Sequence, residues 1–330
     1  MSEHSELICA YLLDGKGRGE PLDWSGVSNW TPNQDFLWVH LDCGNQNTET
    51  WLRDSSGLNT FIIDGLLASE SRPRCDWYDD GILLILRGVN LNPGADPEDM
   101  VSIRIWFDEH RVISTRLRPL MAVEDIRQQL AVGKGPVSTG HLVARLAARM
   151  TERMGPVIDN LSEQVADLED TLMGTDGDDK VDLRDVRHTL INFRHIAITL
   201  RRYITPQREA LNRLSQLEDT WLDERVQGRL RETVDRVTRI TEELDEVRER
   251  SMVVQDELTN RISQRMEQTM YVLTIVATIM LPLGFLTGLL GINVAGIPGA
   301  DSKWAFWVVC GGLTAVGAVE VWLLKRLKWL

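Results

Sequence analysis

Cysteine is scarce in this 330-residue sequence. The four cysteines, Cys9, Cys43, Cys75 and Cys310, are far apart and form no C-x-x-C pair. That spacing argues against a disulfide framework and against a compact cysteine-built zinc site. Basic charge is in deficit, with 36 Lys and Arg against 49 Asp and Glu and a net charge of −13. A nucleic-acid binder needs a basic face to offset phosphate charge, so that class is set aside. The segment Gly15-Lys16-Gly17-Arg18-Gly19 lacks phosphate-loop spacing and reads as a hairpin loop. No nucleophile, metal-ligand or nucleotide motif stands out, so neither an enzyme nor a cofactor is expected. Met1–Ala10 has no basic n-region and no long apolar run. No signal peptide is expected, and the first 260 residues should stay on the side where they are made.

The most informative absence is local. No Asp, Glu, Lys or Arg occurs over the 33 residues from Gln268 to Ala300, and Glu320 is alone between Trp304 and Leu324. Residues 261–330 hold six basic and three acidic residues, a net of +3, which leaves −16 for residues 1–260. A membrane span needs about 20 mostly apolar residues, and Thr269–Leu290 and Trp304–Leu324 both qualify. Trp304, Trp307, Trp322 and Trp329 mark the ends of the second span as interfacial aromatics do. Arg261 and Arg265 precede the first span, and Lys325, Arg326 and Lys328 follow the second, while the loop between carries only Asp301 and Lys303. The positive-inside rule then places both termini in the cytoplasm. Two helices per chain cannot enclose a pore, so a pore requires a symmetric oligomer.

The acidic body reads in two parts. Residues 1–118 mix strand and helix signals: strands at Leu7–Leu13, Phe36–Leu41, Ile82–Val89, Val101–Phe107 and Val112–Thr115, and a helix over Asn59–Glu70. This is an α/β domain with a mixed sheet. Residues 119–268 are helical. One segment runs from Leu120 to about Met173, a second over Asp182–Tyr203, and a third opens at Pro206 and ends near Leu217. The Gly174–Asp179 loop (GTDGDD) lacks EF-hand register and reads as a solvated turn. From about Leu222 nothing stops a helix before residue 291. Leu230, Val234, Val237, Leu244, Val247, Val254, Leu258 and Ile262 form an apolar seam near 3.5-residue spacing. The fold class is therefore α/β followed by a long helical stalk, a first membrane helix at 269–291, an outer loop at 292–303, a second at 304–324 and a basic tail at 325–330.

Another face of the stalk carries the candidate site. Steps of three and four give Met270, Thr274, Ala277, Leu281, Gly284 and Gly288 in the membrane, and Glu267, Ser263, Asn260, Asp256, Val253 and Glu249 before it. Repeated around an oligomer, that face gives rings of carboxylates and amides below a narrow lumen. The bland reading of Glu249, Asp256 and Asn260 is a solvated face, and Gly284 and Gly288 serve close helix packing equally well. His188 and His195 lie seven apart on one helix and read as solvated or core histidines rather than zinc ligands. Cys310 reads as packing. Glu320 reads as snorkelling toward Lys325 or Arg326, with a role in proton movement as the rival.

Just past the first span comes Gly291-Ile292-Asn293. Together with the long stalk helix, the run Val272–Ile279, Pro282 and the terminal Lys328-Trp329-Leu330, it resembles the CorA metal ion transporter superfamily. The outer-pore hallmark of that superfamily is Gly-Met-Asn. Glu70-Ser71-Arg72-Pro73-Arg74, Ser114-Thr115-Arg116, Tyr203-Ile204-Thr205-Pro206-Gln207-Arg208 and Gly296-Ile297-Pro298-Gly299 look like the ZntB-type zinc transporter branch. The acidic loop of magnesium-selective members is absent, since Val294–Ala300 is uncharged. The resemblance implies a homopentameric funnel in a bacterial inner membrane. It implies Asn293, in the Gly291-Ile292-Asn293 selectivity filter, as a ring at the pore mouth and Asp256 as a cytoplasmic pore ring; Asn260 and Glu267, on the same helix face, are read as further cytoplasmic rings. It implies Zn²⁺ as the transported ion, with proton-linked uptake. The rival readings are a CorA-like magnesium or cobalt channel and, from another class, a two-span signalling or tethering protein.

Overall fold

In the computed structural model the described residues are 6–78, 81–174, 183–217, 221–292, 299 and 302–327. They divide into two compact units, Met1–Gln255 and Asp256–Leu330.

The first unit is built on a seven-stranded mixed sheet. Its strands are β1 (Leu7–Leu13), β2 (Gly19–Leu22), β3 (Phe36–Asp42), β4 (Arg74–Tyr78), β5 (Gly81–Gly88), β6 (Val101–Phe107) and β7 (Arg111–Arg116), in the order β2-β1-β3-β7-β6-β5-β4. Only β3 and β7 pair in parallel; the other five pairings are antiparallel. Helices α1 (Trp24–Asn29), α2 (Gln46–Asp54) and α3 (Thr60–Leu67) intervene early in the chain. The Gly15–Gly19 segment is the expected hairpin loop, closed by Asp14 N–H donating to the Arg18 carbonyl at 3.1 Å. The β6–β7 turn is held by Asp108, whose Oδ1 accepts from the backbone of His110 and Arg111.

Both faces of the sheet are covered, and side-chain alternation sorts the strands between two cores. Ile82, Leu84, Ile103, Ile105 and Phe107 point into one core with the long helices. Leu83, Trp106, Val39 and Ile113 point into the other with α2 and α3. All seven positions of β6 are buried. The edge strands β2 (GEPL) and β4 (RCDWY) escape the apolar pattern because they are short, partly exposed and polar.

Helices α4 (Met121–Ala131), α5 (Thr139–Glu152) and α6 (Gly155–Gly174) replace the single helical segment expected from Leu120 to Met173. Gly133, at φ +70°, ends the first, and Ser138 caps the second by accepting from His141 N–H. The separate helices expected around Pro206 are one helix, α7 (Leu183–Ser215), with Pro206 inside it. An internal proline costs about 3 kcal/mol or more. Leu200, Ile204, Ala210, Leu211 and Leu214 bury one continuous face through it, and that packing outweighs the cost. The expected GTDGDD turn falls largely outside the described residues.

The segment Ser114-Thr115-Arg116 is structural. Trp38 Nε1 donates to Ser114 Oγ at 3.0 Å, and that hydroxyl faces the Val39 carbonyl at 3.3 Å and His40 Nδ1 at 2.8 Å. With the hydroxyl donating to Val39, His40 carries its proton on Nδ1, and Nε2 is buried without a partner. Protonating Nε2 would bury an unpaired cation. Burial first, then Arg116 and Arg127, lower the His40 pKa to about 3. The folded state thus binds fewer protons than the unfolded chain. This contribution to stability is complete above pH ~6.5 and falls by about 1.4 kcal/mol per pH unit between roughly 6.5 and 3. His141, lowered to about 4 by burial and then by Arg145 and Arg229, adds to the same trend, so urea midpoints measured against pH are expected to show a slope smaller by about one proton in that window in a His40→Gln variant. An equal slope in that variant would assign the loss to other groups.

Candidate metal-ion pathway

Helix α8 runs from Glu224 to Leu290, 67 residues, and α9 from Ala305 to Arg326. At 1.5 Å per residue α8 is roughly 100 Å long. In its first part Leu230, Val237, Leu244, Val247, Val254 and Leu258 of the expected seam are buried. Val234 is half-buried, while Ile262 remains exposed.

Both C-terminal helices are long and apolar enough to cross a membrane, and none of the apolar window of α8 is buried. Large apolar side chains such as Phe285 and Met280 stand exposed, as they do toward lipid or a neighbouring helix rather than water. Trp304, Trp307 and Trp322 are exposed near the ends of α9, and the Arg326 guanidinium sits 5.3 Å over the Trp322 ring. That is an interfacial anchor.

The first span has two distinct sides. Ile275, Ile279, Leu283 and Leu286 are half-buried, and the Leu283 methyl lies 4.0 Å from where a β carbon on Gly317 of α9 would stand. Met270, Thr274, Ala277, Leu281, Gly284 and Gly288 are all exposed. At 3.6 residues per turn each set spans roughly 80°, and their centres lie about 180° apart. The face singled out from sequence is therefore the one turned away from α9. A β carbon on Gly284 or Gly288 would meet nothing within 4 Å, so neither glycine serves close packing among the described residues.

Side-chain chemistry on that face is sparing. The Thr274 hydroxyl donates to the Met270 carbonyl at 2.7 Å, which satisfies its proton and leaves oxygen lone pairs outward. Such hard oxygens suit the water shell of a divalent ion. Asp256, Asn260 and Glu267 are exposed on the preceding turns of α8. In the first unit the Glu243 pKa is raised by burial, then by Asp159 of α6, with Arg239 opposing. Gly291 N–H donates to Thr287 and Gly288 carbonyls at 3.0 and 3.1 Å, closing the helix, and Ile292 is exposed. Asn293 lies outside the described residues, as do Lys328, Trp329 and Leu330.

His188 and His195 are exposed on α7, and no cluster of three metal-ligating side chains occurs among the described residues. Cys310 is half-buried on α9, and all four cysteines are free. Glu320 is half-buried with Oε2 enclosed and unpartnered; it makes no ion pair with Lys325 or Arg326, so the expected snorkelling pair is not formed.

A family model described as CorA-like Mg²⁺ transporter protein matches residues 33–326. The chain belongs to this family of divalent-cation transporters. The divalent cation transporter CmaX of Pseudomonas aeruginosa is 41% identical over 327 residues, covering 98% of this chain and 97% of that protein. The zinc transport protein ZntB of Pectobacterium carotovorum subsp. carotovorum is 34% identical over 328 residues, covering 99% and 97%. The solved structure of full-length CmaX superposes with a TM-score of 0.84 at 40% identity, over 99% of this chain and all of that one. Family membership makes the chain a membrane transporter and not an enzyme.

Proposed function

We propose that this chain is a zinc transporter, acting as a homopentamer in a bacterial inner membrane with both termini in the cytoplasm. The observation that carries the pathway is the exposed face of small and polar residues on the first span, opposite the side packed toward α9. Five copies of that face would enclose a lumen, with Asp256, Asn260 and Glu267 as rings at its cytoplasmic end and Gly291, Ile292 and Asn293 at its outer mouth. A tight zinc site would use His or Cys at about 2.0–2.3 Å, and neither span contains His. Weak oxygen ligation of a partly hydrated ion suits permeation, because the ion must also leave. Zinc is supported by the likeness to ZntB, and proton-linked uptake rests on the same resemblance. The family description favours a second reading, magnesium or cobalt conduction.

Liposomes containing the purified chain and a zinc-sensitive dye, with an imposed pH gradient, separate these readings. Zinc uptake that rises with an inward proton gradient is expected. Magnesium flux without zinc flux would favour the second reading, and no divalent flux would favour a tether. Asn293→Ala is expected to change rate and ion preference; unaltered flux and selectivity would remove Asn293 from the filter.

A further inference from the structure

Two segments outside the proposed ion pathway, Glu70–Arg74 and Tyr203–Arg208, meet in the first unit. They border a cavity of about 610 Å³ beside the end of β5, within the size range of small-ligand sites. Four guanidinium groups line it: Arg72 from the α3–β4 loop, Arg87 from β5, Arg118 after β7 and Arg202 from α7.

Among the described residues, Arg118 alone of the four has a carboxylate partner, Asp99. Arg87 donates to the carbonyls of Ser71 and Met100 at 3.0 and 3.2 Å. Its guanidinium lies 4.0 Å from the centre of the Tyr203 ring, and that of Arg202 lies 4.7 Å from the same ring. Arg202 also donates to the Tyr203 hydroxyl at 2.7 Å. Arg72 has no ion pair among the described residues. Two like charges share one ring, and a third stands beside them without an anion. Burial lowers the Arg87 pKa, opposed by Tyr203, reinforced by Arg202, and opposed more weakly by Glu70 and Asp99.

Two buried groups behind the lining reinforce the pattern. Ser71 is 6% exposed, lines the cavity, and its Oγ has no hydrogen-bond partner. Arg104 is fully buried on β6, donates to the Ser69 carbonyl at 3.2 Å and leaves Nε unpaired. The open Nε of the buried Arg104 and the orphaned Ser71 hydroxyl are costly, whereas Arg72 and Arg202 reach solvent and are free to meet a ligand. Glu70 stands among them and pairs with none of the four, so the site keeps a net positive lining.

We propose that this cavity binds a multiply charged phosphate ligand. Arg72, Arg87 and Arg202 supply planar donor forks matched to phosphate oxygens, and Ser71 supplies a hydroxyl donor. The volume admits a ligand as large as a nucleotide, while a lone halide would leave it largely empty.

The test is calorimetry on the purified full-length chain in detergent, with EDTA present so that no metal mediates binding. Pyrophosphate, ATP and a short-chain phosphatidic acid are titrated separately. Saturable binding near one ligand per chain, weakening with added salt, is expected for at least one of them. Arg72 and Arg202 are exposed, so an Arg72→Gln/Arg202→Gln double variant should melt as the parent does and bind roughly tenfold or more weakly. Arginine-dependent binding supports the site, and the tighter class names its source as free phosphate or lipid. No binding up to millimolar concentration overturns the proposal, as does binding that the double variant leaves unchanged. A parent that binds nothing, with a variant of altered assembled mass, also overturns it and shows a neighbouring copy filling the cavity.

Discussion

A Thr274→Lys variant is expected to assemble in the membrane and to lose divalent-cation uptake almost entirely. Thr274 lies on the exposed face of the first span, on the turn after the Met270 whose carbonyl accepts its hydroxyl. That position is near the end of the span that follows Arg261 and Arg265, so a lysine there can snorkel toward the interface and insertion survives. One ammonium about 6 Å from a divalent ion, at an effective dielectric constant of about 20, adds roughly 5 kcal/mol to the barrier. That alone slows passage by more than about a thousandfold, and symmetry would repeat it in every subunit. Thr274→Ser keeps the oxygen and should transport normally. The contrasting site is Ile279, half-buried on the side facing α9. A lysine there should lower the yield of folded protein. Uptake by Thr274→Lys at the parental rate would place the lumen on another face.

Trp106→Ala should cost about 3–5 kcal/mol, the largest single loss of stability among the core positions considered. Trp106 is fully buried in the middle of the sheet, in the core shared with α2 and α3, and the Arg111 guanidinium stacks 4.8 Å from its ring. Its removal leaves a cavity that β6, paired on both sides, cannot close by moving. Trp106→Phe is expected to recover most of the loss. The indole Nε1 has no hydrogen-bond partner, so a benzene ring removes an unsatisfied donor while keeping most of the volume. Thermal or urea unfolding of the full chain measures both. Equal destabilisation by the two substitutions would show that the indole nitrogen is bonded.

The strands that could be read from sequence were those dominated by apolar and β-branched residues: Leu7–Leu13 and Val101–Phe107 are found with the expected bounds, although Ser102 and Arg104 interrupt the second. A central strand covered on both faces needs such a run, so composition is enough. The edge strand Gly19–Leu22 contains Pro21 and is largely exposed, and no hydrophobic pattern marks it. Pro206 misled for the opposite reason. Local propensity reads it as a helix start, but a long buried face carries α7 through it. The exposed face of the first span, turned away from α9, was legible because a helix repeats every 3.6 residues, so a list of positions is already a direction in space. The arginine cavity was not. Arg72, Arg87 and Arg202 lie far apart in the chain, and nothing in a single strand or helix announces that three segments converge.

Sequence alone determined the two apolar spans, the long helix that runs into the first of them, the acidic body and the family resemblance. These are properties of contiguous residues: length, period and charge along the chain. Tertiary structure decided which side of the first span packs toward α9 and which stays open. It also decided that His40 is buried neutral, that the Ser114 segment is internal scaffolding, and that unpaired guanidinium groups share a cavity. Each depends on groups brought together from distant positions, where burial and missing partners change the free energy of a charge far more than its neighbours in the chain do.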